Sequence, residues 1–167
     1  MTTVADSSPL IALASISAFH VLQPLFTEIL IPESVHREVV LQGSGKPGQE
    51  EILSSPWIGV HVVGEFAKVD ALCRRFRIRG GEAEAIVLGL ELGARWLLMD
   101  ERVGRQAAMA TGIEPDHIIG TLGILLAAKD RGLIAEVSGK MAELQERGFR
   151  IDPALYRLVQ RQAGEVG

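Results

Sequence analysis

Short apolar runs alternate with longer segments of helical pattern along this chain, and no other feature limits its fold as much. Residues 3–5 and 28–31 read as buried strands. WIGVHVV at 57–63 and ARWLLM at 94–99 continue the series, and PDHIIG at 115–120 closes it with a short strand. Helical segments lie between them. Residues 8–14 form the first, and PESVHREVVLQG at 32–43 places proline in its first turn and glycine at its end. FAKVDALCRRF at 66–76 puts Phe66, Val69, Leu72, Cys73 and Phe76 at helical spacing. GEAEAIVLGLELG at 81–93, ERVGRQAAMATG at 101–112 and TLGILLAAKDRG at 121–132 follow. Strand then helix, repeated, implies a central parallel sheet flanked by helices on both faces, an α/β fold of three layers. IAEVSGKMAELQERG and PALYRLVQRQAG predict a helical C-terminal end, with Ile134, Val137, Met141 and Leu144 on one face.

Nothing marks a linker or a repeat, so the expectation is a single domain over 1–167, with a core at about 1–133 and C-terminal helices at about 134–164. A chain of 167 residues buries about 70% of its unfolded surface. With 47% hydrophobic and 23% charged residues it is not a disordered chain. Cys73 is the only cysteine, which excludes an internal disulfide and any CxxC metal pairing; it reads as a small apolar residue in a reducing cytosol. The apolar stretch after Asp6 is interrupted by Ser15, Ser17, His20, Gln23 and Pro24 well short of a membrane span. The expected setting is soluble, cytoplasmic and free of membrane. The formal net charge of −4 argues against a chain-wide polyanion-binding surface and leaves room for a local basic patch.

In open parallel sheets ligands bind beyond the carboxyl ends of the strands, so an acid that directly follows a buried strand is aimed at the site. Asp6 and Asp100 both stand there, in VADSSPL and ARWLLMD. Ser8, with Pro9 in the first turn, is expected to cap the first helix and leave Asp6 free. Glu38 lies in the helix after the second strand, and Glu82 opens the helix before the Asp100 strand. Each has an ordinary explanation taken alone: Asp6 as a turn or cap, Glu38 on a solvated face, Glu82 at a helix dipole, Asp100 as the cap of the helix from Glu101. Together they bring four acids to one rim. Carboxylates at 4 Å repel by about 1 kcal/mol in water and about 4 kcal/mol at an effective dielectric of 20, so such a cluster needs a cation or bound protons. All-oxygen ligands suit Mg²⁺ or Mn²⁺, which take remaining ligands from water and phosphate. That chemistry is metal-assisted phosphodiester hydrolysis.

The four motifs VADSSPLIAL, IPESVHREV, GEAEAIVLGLELGARWLLMDE and IIGTLGILLAAKDRGLI, in that order over about 130 residues, resemble the PIN-domain family. The similarity is to a prokaryotic branch like the VapC-type toxins of toxin–antitoxin pairs. The resemblance implies a PIN-like fold and a Mg²⁺- or Mn²⁺-dependent endoribonuclease. Its metal-binding, catalytic acids would be Asp6, Glu38, one acid of GEAEA, and Asp100. In many relatives the third acid precedes the fourth by eighteen positions, which selects Glu82, whereas the acid-Ala-Ile motif selects Glu84. Residues two apart on a helix point about 200° apart, so the two acids do not serve one metal together. Glu82 is preferred. Thr121 sits where relatives place a hydroxyl or acid near the metal, and Glu101 is a secondary candidate. The resemblance also implies an RNA substrate, a small cognate antitoxin protein and a homodimer.

Arg74, Arg75, Arg77 and Arg79, with Arg102 and Arg105 past Asp100, read either as contacts to an RNA backbone or as a solvated face. Trp57 and Trp96 lie in apolar strand-like runs and read as core. GSGKPG at 43–48 is not a phosphate loop, since Lys46 is followed by proline and lacks the required upstream glycine. The histidines show no metal-binding pair, and Ser7 and Ser8 have no recognisable base, so a zinc site and a serine hydrolase drop out. Two other functions compete. One is a PIN-like module that binds RNA or protein without chemistry. The other, aspartyl-phosphate transfer from Asp6, lacks the second acid that such enzymes carry two residues on, where this chain has Ser8.

Overall fold

The computed structural model describes residues 1–166. In chain order the elements are β1 (Thr3–Ala5), α1 (Ser7–Ser15), α2 (Leu22–Phe26), β2 (Ile29–Pro32), α3 (Glu33–His36), α4 (Gln49–Leu53), β3 (Ile58–His61), α5 (Phe66–Phe76) and α6 (Gly80–Glu91). They continue as β4 (Trp96–Leu98), α7 (Arg102–Ala110), β5 (Ile118–Ile119), α8 (Thr121–Asp130), α9 (Ser138–Glu146) and α10 (Pro153–Gln162). The strands form one sheet in the order β3-β2-β1-β4-β5, and every pair is parallel. This is the expected α/β architecture, a parallel sheet between two helical layers.

Side chains alternate across the sheet and divide the core in two. Ala5, Ile29, Ile31 and Leu98 face α1, α2, α8 and the C-terminal helices, where Leu13, Ile124, Met141 and Leu144 are buried. Val4, Leu97, Met99 and Ile118 face α5, α6 and α7. Trp57 and Trp96 are half-buried against the first layer, as is Ile134, which precedes α9 instead of lying within it. No helix among the described residues is long and apolar enough to cross a membrane.

The order of the strands locates the site. From β1 the chain moves to β2 and β3 on one side, then crosses to β4 and β5 on the other, so the direction reverses between β1 and β4. Clefts in such sheets open at that point, beyond the carboxyl ends of the strands. Ala5 pairs with Leu98, and the Asp6 N–H donates to the Leu98 carbonyl at 3.0 Å, so Asp6 and Asp100 leave the sheet at the same rim.

Two local expectations change. Helix α1 begins at Ser7, so Asp6 occupies the N-cap position, and Ser8 lies inside the first turn instead of capping it. Asp6 is still in extended conformation and still paired to β4, which leaves no spacer residue between strand and helix. The expected helix at 32–43 also splits: α3 gives way to a π-helical turn over Arg37–Leu41, closed by a bond from the Gln42 N–H to the Arg37 carbonyl at 2.8 Å. Such wide turns re-aim side chains and recur at functional sites. Glu38 lies in this one. The chain then leaves through Gly43, where a Cβ would run into the Val39 carbonyl.

Candidate functional site

Asp6 is 1% exposed, and neither of its carboxylate oxygens has a hydrogen-bond partner. Burial pushes its pKa up to about 7; the neighbouring Ser7 N–H, which does not reach hydrogen-bond geometry with the carboxylate, and Arg79 only partly offset this, and Glu82 and Glu38 add to it. An acid so placed is costly to ionise unless a cation approaches. Position dictates this state, because the strand end buries the side chain while the main-chain groups are spent on β4 and α1.

Glu38 and Glu82 approach from different elements. A Cβ built on Gly81 would lie 3.6 Å from Glu38 Oε2 and 3.8 Å from Asp6 Oδ1, so these two carboxylates converge over a residue that has no side chain. Glu82, in the first turn of α6 and 5% exposed, is likewise admitted by Gly104 of α7, where a Cβ would lie 3.2 Å from Glu82 Oε2. Burial raises the Glu82 pKa against the pull of Arg79. Arg79 joins the two glutamates: its Nη1 is 3.5 Å from Glu38 Oε1 and its Nε 3.3 Å from Glu82 Oε1. The exposed guanidinium thus neutralises part of a buried acidic cluster.

Asp100 is held separately. The Thr121 N–H donates to its Oδ1 and the Thr121 hydroxyl to its Oδ2, both at 2.7 Å. Its pKa is raised by burial in spite of these bonds and of Arg105. The expected alternative for Asp100, capping α7, is not what it does; Glu101 takes that position, exposed and without a side-chain cap bond.

The structure therefore brings Asp6, Glu38 and Glu82 together, with Asp100, Thr121 and Glu101 at the same rim. Glu84 faces elsewhere, toward Ser34, Arg37 and Glu33. Among the basic candidates only Arg79 touches the acids. Arg105 Nη1 donates to the Met99 carbonyl at 2.9 Å and braces the ends of β4 and β5. Arg74 and Arg75 lie exposed in the last turn of α5, Arg75 over the Phe76 ring, and Arg77 follows in left-handed conformation. Arg102 is exposed at the start of α7.

Two clefts open beside Asp100. One, of about 450 Å³, is lined by Ser7, Glu38, Arg79, Glu101, Arg147 and Phe149 among others; the second, of about 470 Å³, by Arg105, Gly120, Phe149 and Arg150. Asp100 borders both. Arg147, Phe149 and Arg150 are absent from the sequence-based candidates, although RGFR at 147–150 does interleave basic and aromatic residues.

The donor set suits a divalent cation. It consists of hard carboxylate oxygens, and both oxygens of the most buried acid are unpartnered. No three His, Cys, Asp or Glu residues among those described are gathered in the geometry of a finished metal site. Arg79 spans two of the carboxylates where such an ion would draw them in.

No curated protein and no solved structure matches this chain. A family model described as a PIN domain matches residues 2–165.

Proposed function

The chain belongs to the PIN-domain family, and from that premise we propose that it is a Mg²⁺- or Mn²⁺-dependent endoribonuclease. PIN domains are generally nucleases, and those nucleases typically use divalent metals. The observation that carries the reading is Asp6: a buried carboxylate with two unpartnered oxygens, at the reversal point of the sheet, with the Glu38 carboxylate converging on it over Gly81 and Glu82 near enough to add to the rise in its pKa.

Asp6, Glu38, Glu82 and Asp100 would hold the cation. When bound, a divalent ion supplies an acidified water and neutralises charge on the phosphate and the leaving oxygen. Thr121 fixes both oxygens of Asp100 and so limits the directions in which that carboxylate can ligate. Arg79 balances Glu38 and Glu82 in the metal-free protein and is free to turn toward an anion once they are otherwise neutralised. Glu101 and Asp100 border the cleft that would receive the scissile phosphate.

The proposal extends to the toxin of a VapC-like toxin–antitoxin pair, acting as a cytoplasmic homodimer neutralised by a small cognate antitoxin protein. Its support is the ordered set of motifs over about 130 residues. A second reading, a PIN-like module that binds RNA or protein without cleaving, is favoured by one observation: Arg79 already spans two of the four acids, Glu38 and Glu82.

Incubating labelled RNA with the purified chain and Mn²⁺ separates the two. Cleavage that stops in chelator and in an Asp6→Asn, Asp100→Asn double variant supports the nuclease. RNA affinity with no Mn²⁺ binding supports the module, and cleavage undiminished in the double variant sinks the four-acid assignment.

A further inference from the structure

We propose that the turn at residues 147–150, between α9 and α10, is the wall that holds single-stranded RNA across the acidic site. Backbone phosphates would lie on Arg147 and Arg150, and one unpaired base on the Phe149 ring. This inference rests on the nuclease reading and names the form of its substrate.

The two clefts that flank Asp100 share a second residue, Phe149. Arg147 lines the cleft that contains Glu38 and Arg79; Arg150 lines the one that contains Arg105. A strand passing from one cleft to the other therefore crosses Asp100 with an arginine on either side. Local backbone chemistry builds this wall. Helix α9 ends in a left-handed residue, Gly148 (φ 90°), and the Phe149 N–H returns to the Leu144 carbonyl at 2.9 Å. That closure is a helix C-cap of the kind glycine favours. Phe149 is thereby half-buried against the core and at the same time lines both clefts.

The two arginines have no competing role among the described residues. Both are exposed, and neither takes part in an ion pair or a side-chain hydrogen bond there, whereas Arg79 and Arg105 do. On a chain of net charge −4, affinity for a polyanion has to come from such local cations. Arginine provides a charged fork for phosphate, and an aromatic face beside it accepts a base of any identity. A duplex keeps its bases stacked inside and offers Phe149 nothing to stack on. Hence a single strand.

The test uses the full chain carrying Asp6→Asn to prevent cleavage, with a short fluorescent single-stranded RNA followed by anisotropy over a range of salt. Adding Arg147→Gln and Arg150→Gln should weaken binding at least tenfold. It should also flatten the slope of log affinity against log salt by about 1.4, since each single-strand phosphate contact contributes about 0.7. Phe149→Leu should weaken the single strand roughly tenfold and leave the salt slope and the affinity for the matching duplex unchanged. Circular dichroism reports folding of each variant; if Phe149→Leu does not fold, the arginine pair decides alone. Undiminished affinity and slope in the arginine variant overturn this inference while leaving the nuclease reading in place. A chain that neither binds nor cleaves RNA overturns both.

Discussion

Thr121 grips Asp100 twice, with its main-chain N–H on one carboxylate oxygen and its hydroxyl on the other, each at 2.7 Å. The residue opens α8 and is fully buried, so the grip is as rigid as the packing of that helix end. Asp100 follows β4, and Thr121 follows β5, the strand beside it. Each strand of this pair thus leads to one half of a clamped carboxylate.

Thr121→Val removes the hydroxyl and keeps the N–H and the shape. A hydrogen bond to a charged group is worth about 1.5–3 kcal/mol, so RNA turnover should fall roughly 10- to 100-fold. Thr121→Ser should restore most of it. Turnover unchanged in the valine variant, measured on labelled RNA at saturating Mn²⁺, would remove Thr121 from any part in positioning Asp100.

Asp6→Asn should abolish cleavage and stabilise the metal-free protein. The wild-type carboxyl is buried without a partner and is crowded by Glu38 and Glu82, whereas the amide carries no charge to bury. A gain of about 1–3 kcal/mol corresponds to roughly 2–12 °C in Tm for a chain of this size. Thermal unfolding in chelator is the measurement. A lower Tm for Asp6→Asn would mean that the acid serves the fold.

How much of this was open to sequence reading depends on the range of the interactions involved. Asp6 and Asp100 follow short buried strands, and a continuous apolar run followed by an acid is visible in a few residues. The preference for Glu82 over Glu84 came from the eighteen-position spacing to Asp100 that the resemblance supplies, helical geometry adding only that the two do not serve one metal together; in the structure Glu82 Oε2 lies over Gly104 of α7 while Glu84 turns to Ser34 and Arg37. The π-helical turn at Glu38 was hidden, because one extra residue in a turn leaves no periodic signature in so short a segment. Arg79 looked like one member of a basic run, and only the packing of α6 against α3 separates it from Arg74, Arg75 and Arg77. The RGFR turn shares its clefts with Asp100, some fifty positions away, which no local pattern encodes.

Arg79→Gln should tighten Mn²⁺ binding. The guanidinium pairs with Glu38 and Glu82, and exposed pairs of this kind are each worth about 0.2–1 kcal/mol. Relieving both should lower the Kd roughly 2- to 30-fold by calorimetry, and should lower Tm in chelator because the acids then repel without relief. Weaker Mn²⁺ binding in the variant would show that Arg79 supports the ligands instead of competing for them.

Glu165 should make the protein acid-sensitive in a window unrelated to the site. Burial by itself would raise its pKa. The Lys129 ammonium at 2.8 Å and the Val137 and Ser138 amides, each at 2.7 Å, outweigh it and hold the pKa down at about 2, below the ordinary 4.5. A depressed acid contributes stability in full above the unfolded value and loses it as pH falls through the folded one. That contribution should therefore be intact above about pH 4.5 and decline between 4.5 and 2. The carboxylate ties the end of the chain to the start of α9, which in turn carries Met141 and Leu144 into the core. Glu165→Gln should cost about 1–3 kcal/mol at pH 7, the worth of charge-assisted hydrogen bonds, and flatten the decline below pH 4.5. Denaturant unfolding of both forms at several pH values checks it, and parallel curves for the two forms would rule the anchor out.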